Sequence, residues 1–227
     1  MDQTLCKFCS LKSRASETLT LHELETMEHN CTKIQYKKGD KIIIQGEVTT
    51  HLAYIKTGLV KVHVKFQGRE KIARIVKAPA YLSLPNTFVD KVNSFSATAI
   101  DAVNVCFIDL KIFKQFIYDN GEFAYQIIMD MSKGEIKSYY SLLHQTPKQN
   151  RGRVADALLF FKNEIYESNS FKLPIGRQEF ADLIHIVRES ASRILSEFQR
   201  EKILAIKGTT ITILEETTLQ QISENGY

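Results

Sequence analysis

The sequence has no apolar run long enough to cross a membrane. Its mainly apolar stretches, such as Tyr125–Met131, are interrupted by polar side chains, whereas a membrane-spanning helix needs about 20 consecutive apolar residues. The first six residues also lack the basic and apolar regions of a secretory signal. We therefore expect a protein that has no membrane partner and stays in the cytoplasm.

Motifs of catalytic sites are missing as well. The six histidines show no metal-ligand spacing, and the chain contains no glycine-rich phosphate loop, nucleophile elbow or HExxH motif. Each of these motifs holds reactive groups at a fixed spacing, so their absence leaves no candidate catalytic residue. The sequence predicts that the chain is not an enzyme.

Cysteine is scarce, and four cysteines in 227 residues are too few for a disulfide scaffold. Cys6 and Cys9 form a CxxC pair near the N-terminus, while Cys31 and Cys106 stand alone. A lone CxxC pair is compatible with a metal site, a disulfide or a thiol redox switch. Alternatively, the two N-terminal cysteines are simply exposed thiols and one strand cysteine is buried in the core, since cysteine is among the most buried residue types.

The composition is that of a globular protein, with 44% hydrophobic and 25% charged residues, 13 Phe and 9 Tyr. The net charge of +4 is unevenly distributed: residues 1–150 carry 20 basic and 15 acidic side chains, and residues 151–227 carry 10 and 11. Regions that bind nucleic acid are commonly basic. Nucleic-acid binding by the C-terminal part must therefore be argued from motifs and not from bulk charge.

The hydrophobic pattern changes twice along the chain. A capping box of Thr20 and Glu23 predicts the start of a helix, and from Ile34 to Ile108 short alternating runs are separated by turn glycines. Short, evenly spaced strands of this kind are typical of an antiparallel barrel or sandwich. From Asp109 to about Gln145 the period becomes helical.

This long helix has two apolar sides. On one side Met129, Ile136 and Leu143 are seven residues apart, with Tyr139 between them. The other side is available to pack on the barrel, and its residues are Ala124, Ile127, Ile128 and Met131. We predict that the first side pairs with a second copy of the chain in a parallel homodimer.

A second, smaller domain follows residues 146–150, where Pro147 ends the helix. We predict an amphipathic helix at 153–166, an extended segment at 173–175, two helices at 177–184 and 187–199, and a hairpin at 203–214. Two helices joined by a tight turn and followed by a hairpin form a winged helix-turn-helix.

The second helix of this pair presents polar residues in its N-terminal half. Arg188, Glu189, Ser192 and Arg193 lie opposite its apolar positions, and arginine matches the acceptors of guanine while glutamate matches the amino group of cytosine. The alternative is a surface ion pair between Glu189 and Arg193, four residues apart. Because turn, hairpin and domain order agree, we predict that these four residues contact double-stranded DNA.

Several segments resemble the superfamily of the cyclic-AMP receptor protein and the fumarate–nitrate regulator (CRP/FNR), nearer its FNR-like branch. Residues 38–47 and 54–62 are similar to its cyclic-nucleotide-binding β-roll, residues 132–137 to its dimerisation helix, and Glu189–Arg193 to its E-x-x-S-R recognition motif. The resemblance implies an α+β fold: a jelly-roll β-roll at 1–120, a dimerisation helix at 121–146 and a winged helix-turn-helix at 147–227. It also implies a homodimeric, DNA-binding transcription regulator with RNA polymerase as a partner.

The family's cyclic-AMP cassette is not matched. The chain has no Gly-Glu pair for the ribose, and Phe95 stands where the phosphate-binding arginine is expected. A buried phosphate needs a guanidinium group and hydroxyl or backbone donors. We predict that the β-roll does not bind cyclic AMP and that Tyr81, Phe88 and Phe95 fill its interior.

The iron–sulfur site of the oxygen-sensing branch is matched in part. In that branch, N-terminal cysteines and one barrel cysteine hold the cluster. Cys6, Cys9 and Cys106 resemble three of these ligands, Ala15 occupies the place of the fourth, and Cys31 is the available substitute. An iron–sulfur sensor and a thiol switch at Cys6 and Cys9 are the two interpretations that we carry forward.

Two departures from the family pattern fall in the helix-turn-helix, where His185 replaces the turn glycine and Val187 replaces the Ser or Thr that opens the second helix. A function of another class also stays open. In it, the β-roll is a binding module and the nearly neutral C-terminal domain contacts protein instead of DNA.

Overall fold

Antiparallel strands form most of the first half of the chain in the computed structural model, which describes residues 5–66, 68–89, 92–145 and 149–226, with the backbone alone at 87 and 140–145. The chain divides into two units, residues 1–137 and 138–227. The strands of the first unit are β1 (Cys31–Tyr36), β2 (Lys41–Ile43), β3 (His51–Thr57), β4 (Leu59–Phe66), β5 (Arg69–Lys77), β6 (Ala80–Tyr81), β7 (Ser96–Ala99) and β8 (Val103–Asp109).

These strands pair into two four-stranded antiparallel sheets, with the orders β1-β8-β3-β6 and β2-β7-β4-β5. Strand β3 shows why the unit has two cores, because successive side chains of a strand point to opposite faces. Ala53 and Ile55 pack in a core with residues of β2, β4 and β7, and Leu52 and Tyr54 pack in a second core beneath the helices. The predicted antiparallel β-roll is confirmed.

The helices of the first unit surround the second core. They are α1 (Arg14–Glu17), α2 (Leu21–His29), α3 (Leu84–Phe88), α4 (Leu110–Asp119) and α5 (Gly121–Gln145), and a 3₁₀ turn covers Cys6–Phe8. Helix α2 begins with the predicted capping box, in which the hydroxyl oxygen of Thr20 accepts from the Glu23 amide and the Glu23 carboxylate accepts from the Thr20 amide. No described helix is long and apolar enough to span a membrane.

The continuous helix predicted from Asp109 onward is wrong at Asn120. This residue has an extended backbone conformation, so α4 stops before it. Its Oδ1 accepts the Phe123 amide at 3.0 Å, and it thereby caps the start of α5. Asparagine competes for backbone hydrogen bonds in this way, which explains why a helical apolar period continues across a real break.

Helix α5 buries one side and exposes another. Phe123 and Ile127 are buried in the second core, and Met131 packs against it, as predicted for the barrel-facing side. Ile128 is a correction: it was predicted on that side, but 59% of it is exposed.

The second unit contains four described α-helices and a three-stranded sheet. They are α6 (Asn150–Phe160), α7 (Arg177–Leu183), α8 (Arg188–Arg200), α9 (Glu216–Asn225), β9 (Ser170–Lys172), β10 (Leu204–Lys207) and β11 (Thr210–Ile213), and Phe161–Tyr166 continues α6 as a π-helical turn. The sheet order is β10-β11-β9. Helix α9 was not predicted, and the extended segment lies at β9 instead of 173–175. Of the break predicted at 146–150, residues 146–148 lie outside the described residues, and Gln149 and Asn150 are the N-cap and first residue of α6.

Close backbone contact at Gly58 generates the first prediction. Its φ is +94°, and a Cβ atom there would lie 2.5 Å from the Ala102 carbonyl oxygen. We expect Gly58→Ala to lower the free energy of unfolding by about 2–4 kcal/mol, because the methyl group adds a steric clash to the cost of a left-handed backbone. Denaturant unfolding followed by circular dichroism measures this loss.

The matched control is Gly39→Ala. Gly39 also has a positive φ, of +92°, but no atom lies within 4 Å of the Cβ position. This control should show only the backbone cost of about 1 kcal/mol. Equal losses for the two variants would contradict the role of the contact with Ala102.

Candidate nucleic-acid interface and effector site

Helices α7 and α8 pack through small and apolar side chains that face each other across a tight turn. Ala181 and Ala191 are completely buried, and their small size lets the two helices approach closely. The remaining buried residues of the pair are Phe180, Ile184, Ile194, Leu195 and Phe198. The apolar spacing predicted this core, and the helix-turn-helix is confirmed with helix boundaries that differ by one residue at three of the four ends.

The turn tolerates both departures from the family pattern. His185 adopts the left-handed conformation, with φ of 57°, and its amide donates to the Asp182 carbonyl oxygen at 3.2 Å. Val187 has an extended backbone and no side-chain cap, so the first turn of α8 has only its backbone bonds. The turn therefore forms without glycine, although a non-glycine residue has a higher conformational energy in the left-handed region.

Helix α8 exposes the residues that were predicted to read DNA. Arg188, Glu189 and Arg193 are exposed and Ser192 is half-buried, while the opposite side of α8 lies in the core. The four predicted contact residues thus share one accessible face of the helix.

Arg193 forms an ion pair, but not with the predicted partner. Its Nη1 lies 2.6 Å from Oε1 of Glu197, one turn further along α8. The alternative interpretation of a Glu189–Arg193 pair is therefore wrong in its choice of glutamate. The side chain of Arg193 is still 63% exposed, and a solvent-exposed pair of this kind contributes little energy, so the guanidinium group remains available to a base.

Arg151 on α6 is a residue that the sequence analysis missed. Its guanidinium group binds both carboxylate oxygens of Glu201, at 3.0 and 2.8 Å, lies 3.5 Å from Glu197, and stacks 4.8 Å from the ring centre of Phe198. The hydrogen bond to Arg151 lowers the pKa of the Glu201 carboxyl. Arg151 therefore fixes the C-terminal half of α8, and through Glu197 it positions Arg193.

Arg177 is a second missed residue. It begins α7, where its guanidinium group is half-buried, and its Nη1 has no hydrogen-bond partner among the described residues. Burial lowers the pKa of Arg177. The unpartnered Nη1 is itself buried, while the residue as a whole is half-buried at the start of the first helix; arginine at this place can donate charge-assisted hydrogen bonds to phosphate oxygens through its accessible nitrogens.

The hairpin β10–β11 completes a winged helix-turn-helix. The two strands pair from Leu204 with Ile213 to Lys207 with Thr210, and Gly208 occupies the turn with a φ of 62°. Strand β11 also pairs with β9, which joins the hairpin to the rest of the unit.

Known proteins match both units of this chain. Residues 152–222 match the Crp-like helix-turn-helix domain and residues 33–120 match the cyclic nucleotide-binding domain. The chain belongs to the CRP/FNR superfamily of transcription regulators. These two matches together account for the β-roll and the recognition helices.

Similar proteins align with this CRP/FNR chain over nearly its whole length. It is 26% identical to the fumarate and nitrate reduction regulatory protein of Vibrio cholerae, over 96% of this chain and 90% of that protein. It is 23% identical to the nitrogen fixation regulation protein FixK of Bradyrhizobium diazoefficiens, over 96% and 93%. The fold is similar to the structure of FixK2 from Bradyrhizobium japonicum, with a TM-score of 0.75 and 20% identity over 84% and 96% of the two chains.

The match to the cyclic nucleotide-binding domain raises the question of what the β-roll offers a phosphate group. Among the described residues 80–89 and 92–96 there is neither Arg nor Lys, and Lys91 lies between these two ranges in the sequence. The unpaired buried polar atoms there are uncharged, namely Nδ2 of Asn86 and Oδ1 of Asn93. Phe95 packs against the core between the sheets, as predicted. Tyr81 and Phe88 are corrections, because Tyr81 packs in the other core and Phe88 is exposed.

The cysteines lie closer together than their sequence positions indicate. Cys106 is buried in the core beneath the helices, and Cys6 and Cys31 pack against that core. Hydrogen bonds with the thiols of Cys106 and Cys6 raise the pKa of Cys31. The same bond from Cys31 lowers the pKa of Cys106, and the ammonium groups of Lys56 and Lys33 act in the same direction.

The arrangement does not fit an iron–sulfur cluster. A cubane cluster needs four thiolates spread around it, whereas Cys106 is buried in the core and Ala15, at the place of the fourth ligand, is completely buried there as well. In the described part of the chain, no group of three or more His, Cys, Asp or Glu residues is arranged to hold a metal ion.

The strained turn generates the second prediction. We expect His185→Gly to raise the free energy of unfolding of the regulator by about 0.5–1 kcal/mol, because glycine adopts a positive φ without the steric cost that a Cβ atom imposes. Thermal unfolding measures the gain. His185→Ala, which keeps the Cβ atom, is the matched control and should show no gain; a similar gain in both variants would point to the imidazole group and not to the backbone.

Proposed function

We propose that this CRP/FNR regulator binds double-stranded DNA as a homodimer and reads base edges with Arg188, Glu189, Ser192 and Arg193. The observation that carries the proposal is the two-sided character of α8: one side lies in the core, and the other presents these four residues. Arginine donates to O6 and N7 of guanine, and glutamate accepts from N4 of cytosine. The hydroxyl group of Ser192 can donate a hydrogen bond to either type of base or accept one from it.

Arg177 is assigned to the phosphate backbone in this proposal. Arg177 begins the helix that crosses the backbone in helix-turn-helix proteins, and its guanidinium group is half-buried. Contacts of this type position the protein without reading sequence. They also explain how a domain with 10 basic and 11 acidic side chains can bind an anionic duplex.

Dimerisation is assigned to a stripe of α5 that we define as the α5 stripe: Tyr125, Ile128, Ile136 and Tyr139. All four side chains are exposed, with Ile136 at 54% and Tyr139 at 59%. Met129, from the predicted seam, is half-buried at the edge of the stripe, and the side chain of Leu143 lies outside the described residues. An exposed apolar stripe along a helix is typical of a surface that pairs with another helix.

The effector and the remaining partner follow from the same proposal. The β-roll is not expected to respond to cyclic AMP, because Phe95 stands where the family's phosphate-binding arginine is expected and burial of a phosphate without its charge partner is unfavourable. RNA polymerase is the expected protein partner of a transcription regulator. We expect the protein to act in the cytoplasm, and we assign no catalysed reaction to it.

The first test of the proposal is selection of binding sites from random duplexes, followed by titration across salt concentrations. Arg193→Ala should cost about 1–3 kcal/mol of specific affinity and relax the preference at one base position in each half-site. Arg200→Ala, two turns further along α8, is the control and should leave the base preference intact. An unchanged sequence preference in the Arg193 variant would contradict base reading.

The salt titration separates DNA reading from the alternative in which the second unit contacts protein. Phosphate contacts release counterions, so the logarithm of the affinity should fall linearly with the logarithm of the salt concentration. Failure to bind any duplex at low salt would refute the proposal and leave the binding-module function.

The α5 stripe generates a separate prediction. Ile136→Glu places a charge in the apolar stripe and, in a symmetric dimer, places two like charges near each other, so we expect a monomer of 26.0 kDa in place of a dimer of twice that mass. Light scattering coupled to gel filtration measures the mass. Lys137→Glu, one residue along but on another side of α5, should remain dimeric. A dimeric Ile136 variant would exclude the stripe as the seam.

A further inference from the structure

Three of the four cysteines meet on one face of the sheet that contains β1 and β8. Cys31 pairs with Ile108 across the β1–β8 ladder and Lys33 pairs with Cys106, so Cys31, Lys33 and Cys106 share that face. Cys106 is buried in the core beneath the helices and both Cys31 and Cys6 pack against that core, and the neighbouring thiols of Cys106 and Cys6 raise the pKa of Cys31. Cys31 is therefore the central thiol of the group, although it matches no cysteine position of the family pattern.

The segment that carries Cys6 is fastened to the β-roll at several points. The backbone amide of Cys6 donates to the Glu28 carboxylate, which also accepts from the ammonium group of Lys33 at 2.6 Å. The hydroxyl group of Tyr54 donates to the Leu11 carbonyl oxygen at 2.9 Å. These bonds fasten the segment that contains Cys6 to α2, β1 and β3.

The pairing of β1 with β8 determines which two cysteines can form a disulfide. Cys31 and Cys106 are diagonal neighbours across an antiparallel ladder, where Cα atoms are about 7–8 Å apart, and a disulfide needs about 4.4–6.8 Å. Cys6 belongs to a short 3₁₀ turn and not to a strand, so it can shift toward Cys31 without breaking the sheet. Cys6 and Cys31 are both half-buried, while Cys106 is buried.

We propose that Cys6 and Cys31 form a reversible disulfide when the regulator meets a peroxide. The Cys6 thiolate attacks one peroxide oxygen, an S–O bond forms, the O–O bond breaks, and the departing hydroxide takes a proton to become water. Cys31 then attacks the sulfenic sulfur, the S–S bond forms, the S–O bond breaks, and the second hydroxide leaves as water with the Cys31 proton. In total, two thiols lose two electrons and two protons, and hydrogen peroxide is reduced to two water molecules.

Surrounding groups suit this chemistry. Lys33 lies on the same face of β1 as Cys31, and its ammonium group binds the Glu28 carboxylate that also accepts from the Cys6 amide, so a cation lies beside this segment. A dithiol exchange with a cytoplasmic thiol reductant would reverse the bond, as is usual for disulfides that form transiently in a reducing compartment. The modification site is thus Cys6 with Cys31, and Cys106 is the buried thiol beside it.

The experiment is a thiol count and peptide map of the full-length reduced dimer before and after stoichiometric hydrogen peroxide. Free thiols are alkylated, the remaining disulfides are reduced and alkylated with a second reagent, and peptides are identified by mass spectrometry. The free thiols per chain should fall from four to about two, the Cys6 and Cys31 peptides should carry the second label, and dithiothreitol should restore all four.

Matched cysteine variants assign the pair. Cys9→Ser, in the same N-terminal segment, should form the disulfide at a rate within about twofold of the unmodified protein, and Cys106→Ser should also form it. Cys31→Ser and Cys31→Ala should each lose it, and circular dichroism of both verifies the fold. This readout needs no DNA, so its failure is distinguishable from failure of DNA binding.

Three results would overturn the proposal. One is a Cys6–Cys9 or Cys31–Cys106 disulfide in the unmodified protein. Another is loss of thiols at an unchanged rate in both Cys31 variants. The third is a brown protein with near-stoichiometric iron and sulfide after anaerobic purification, whose iron is lost in the Cys31 variants, because that would make these thiols cluster ligands.

Discussion

The burial of one side of α8 against α7 is the constraint on which DNA recognition by this regulator depends. Ala181 and Ala191 bring the two helices close together, and Phe198, Leu195 and Ile194 close the core behind them. Because these side chains fix the rotation of α8 about its own axis, they decide which residues face outward. The four residues that we propose to contact DNA therefore owe their exposure to apolar contacts on the opposite side of the same helix.

The sequence was sufficient to predict those parts of the fold that local pattern controls. The alternation in the strands, the capping box at Thr20 and the apolar spacing around Phe180 and Ile194 all led to elements that the structure contains. The break at Asn120 was not predicted, because a polar side chain ends one helix and caps the next without disturbing the apolar period. Ile128 was misplaced for a related reason, since periodicity locates a stripe on a helix to within one side chain only.

The contacts that position the site are mostly between residues far apart in sequence, and pattern analysis does not reach them. Arg151 meets Glu201 across 50 residues, and its charge is unremarkable among exposed charges in the sequence. The choice of Glu197 over Glu189 as the partner of Arg193 likewise depends on side-chain rotamers. The cysteines illustrate the same limit, because Cys31 and Cys106 come together through the pairing of β1 with β8, and Cys6 is brought to them by the bond from its amide to the Glu28 carboxylate. In both cases the sequence shows the residue types but not their proximity in the folded protein.

The shared carboxylate of Glu197 has a consequence for how operator choice could change in evolution. One oxygen of Glu197 binds Arg193 and the other lies near Arg151, a residue on a helix that contributes none of the proposed base contacts. Loss of the Arg151 side chain would remove one of the two arginine partners of Glu197 and leave Arg193 as the other. The setting of a proposed base-contacting residue therefore depends on a side chain outside α8, and variation at position 151 can alter it while the four proposed contact residues stay unchanged.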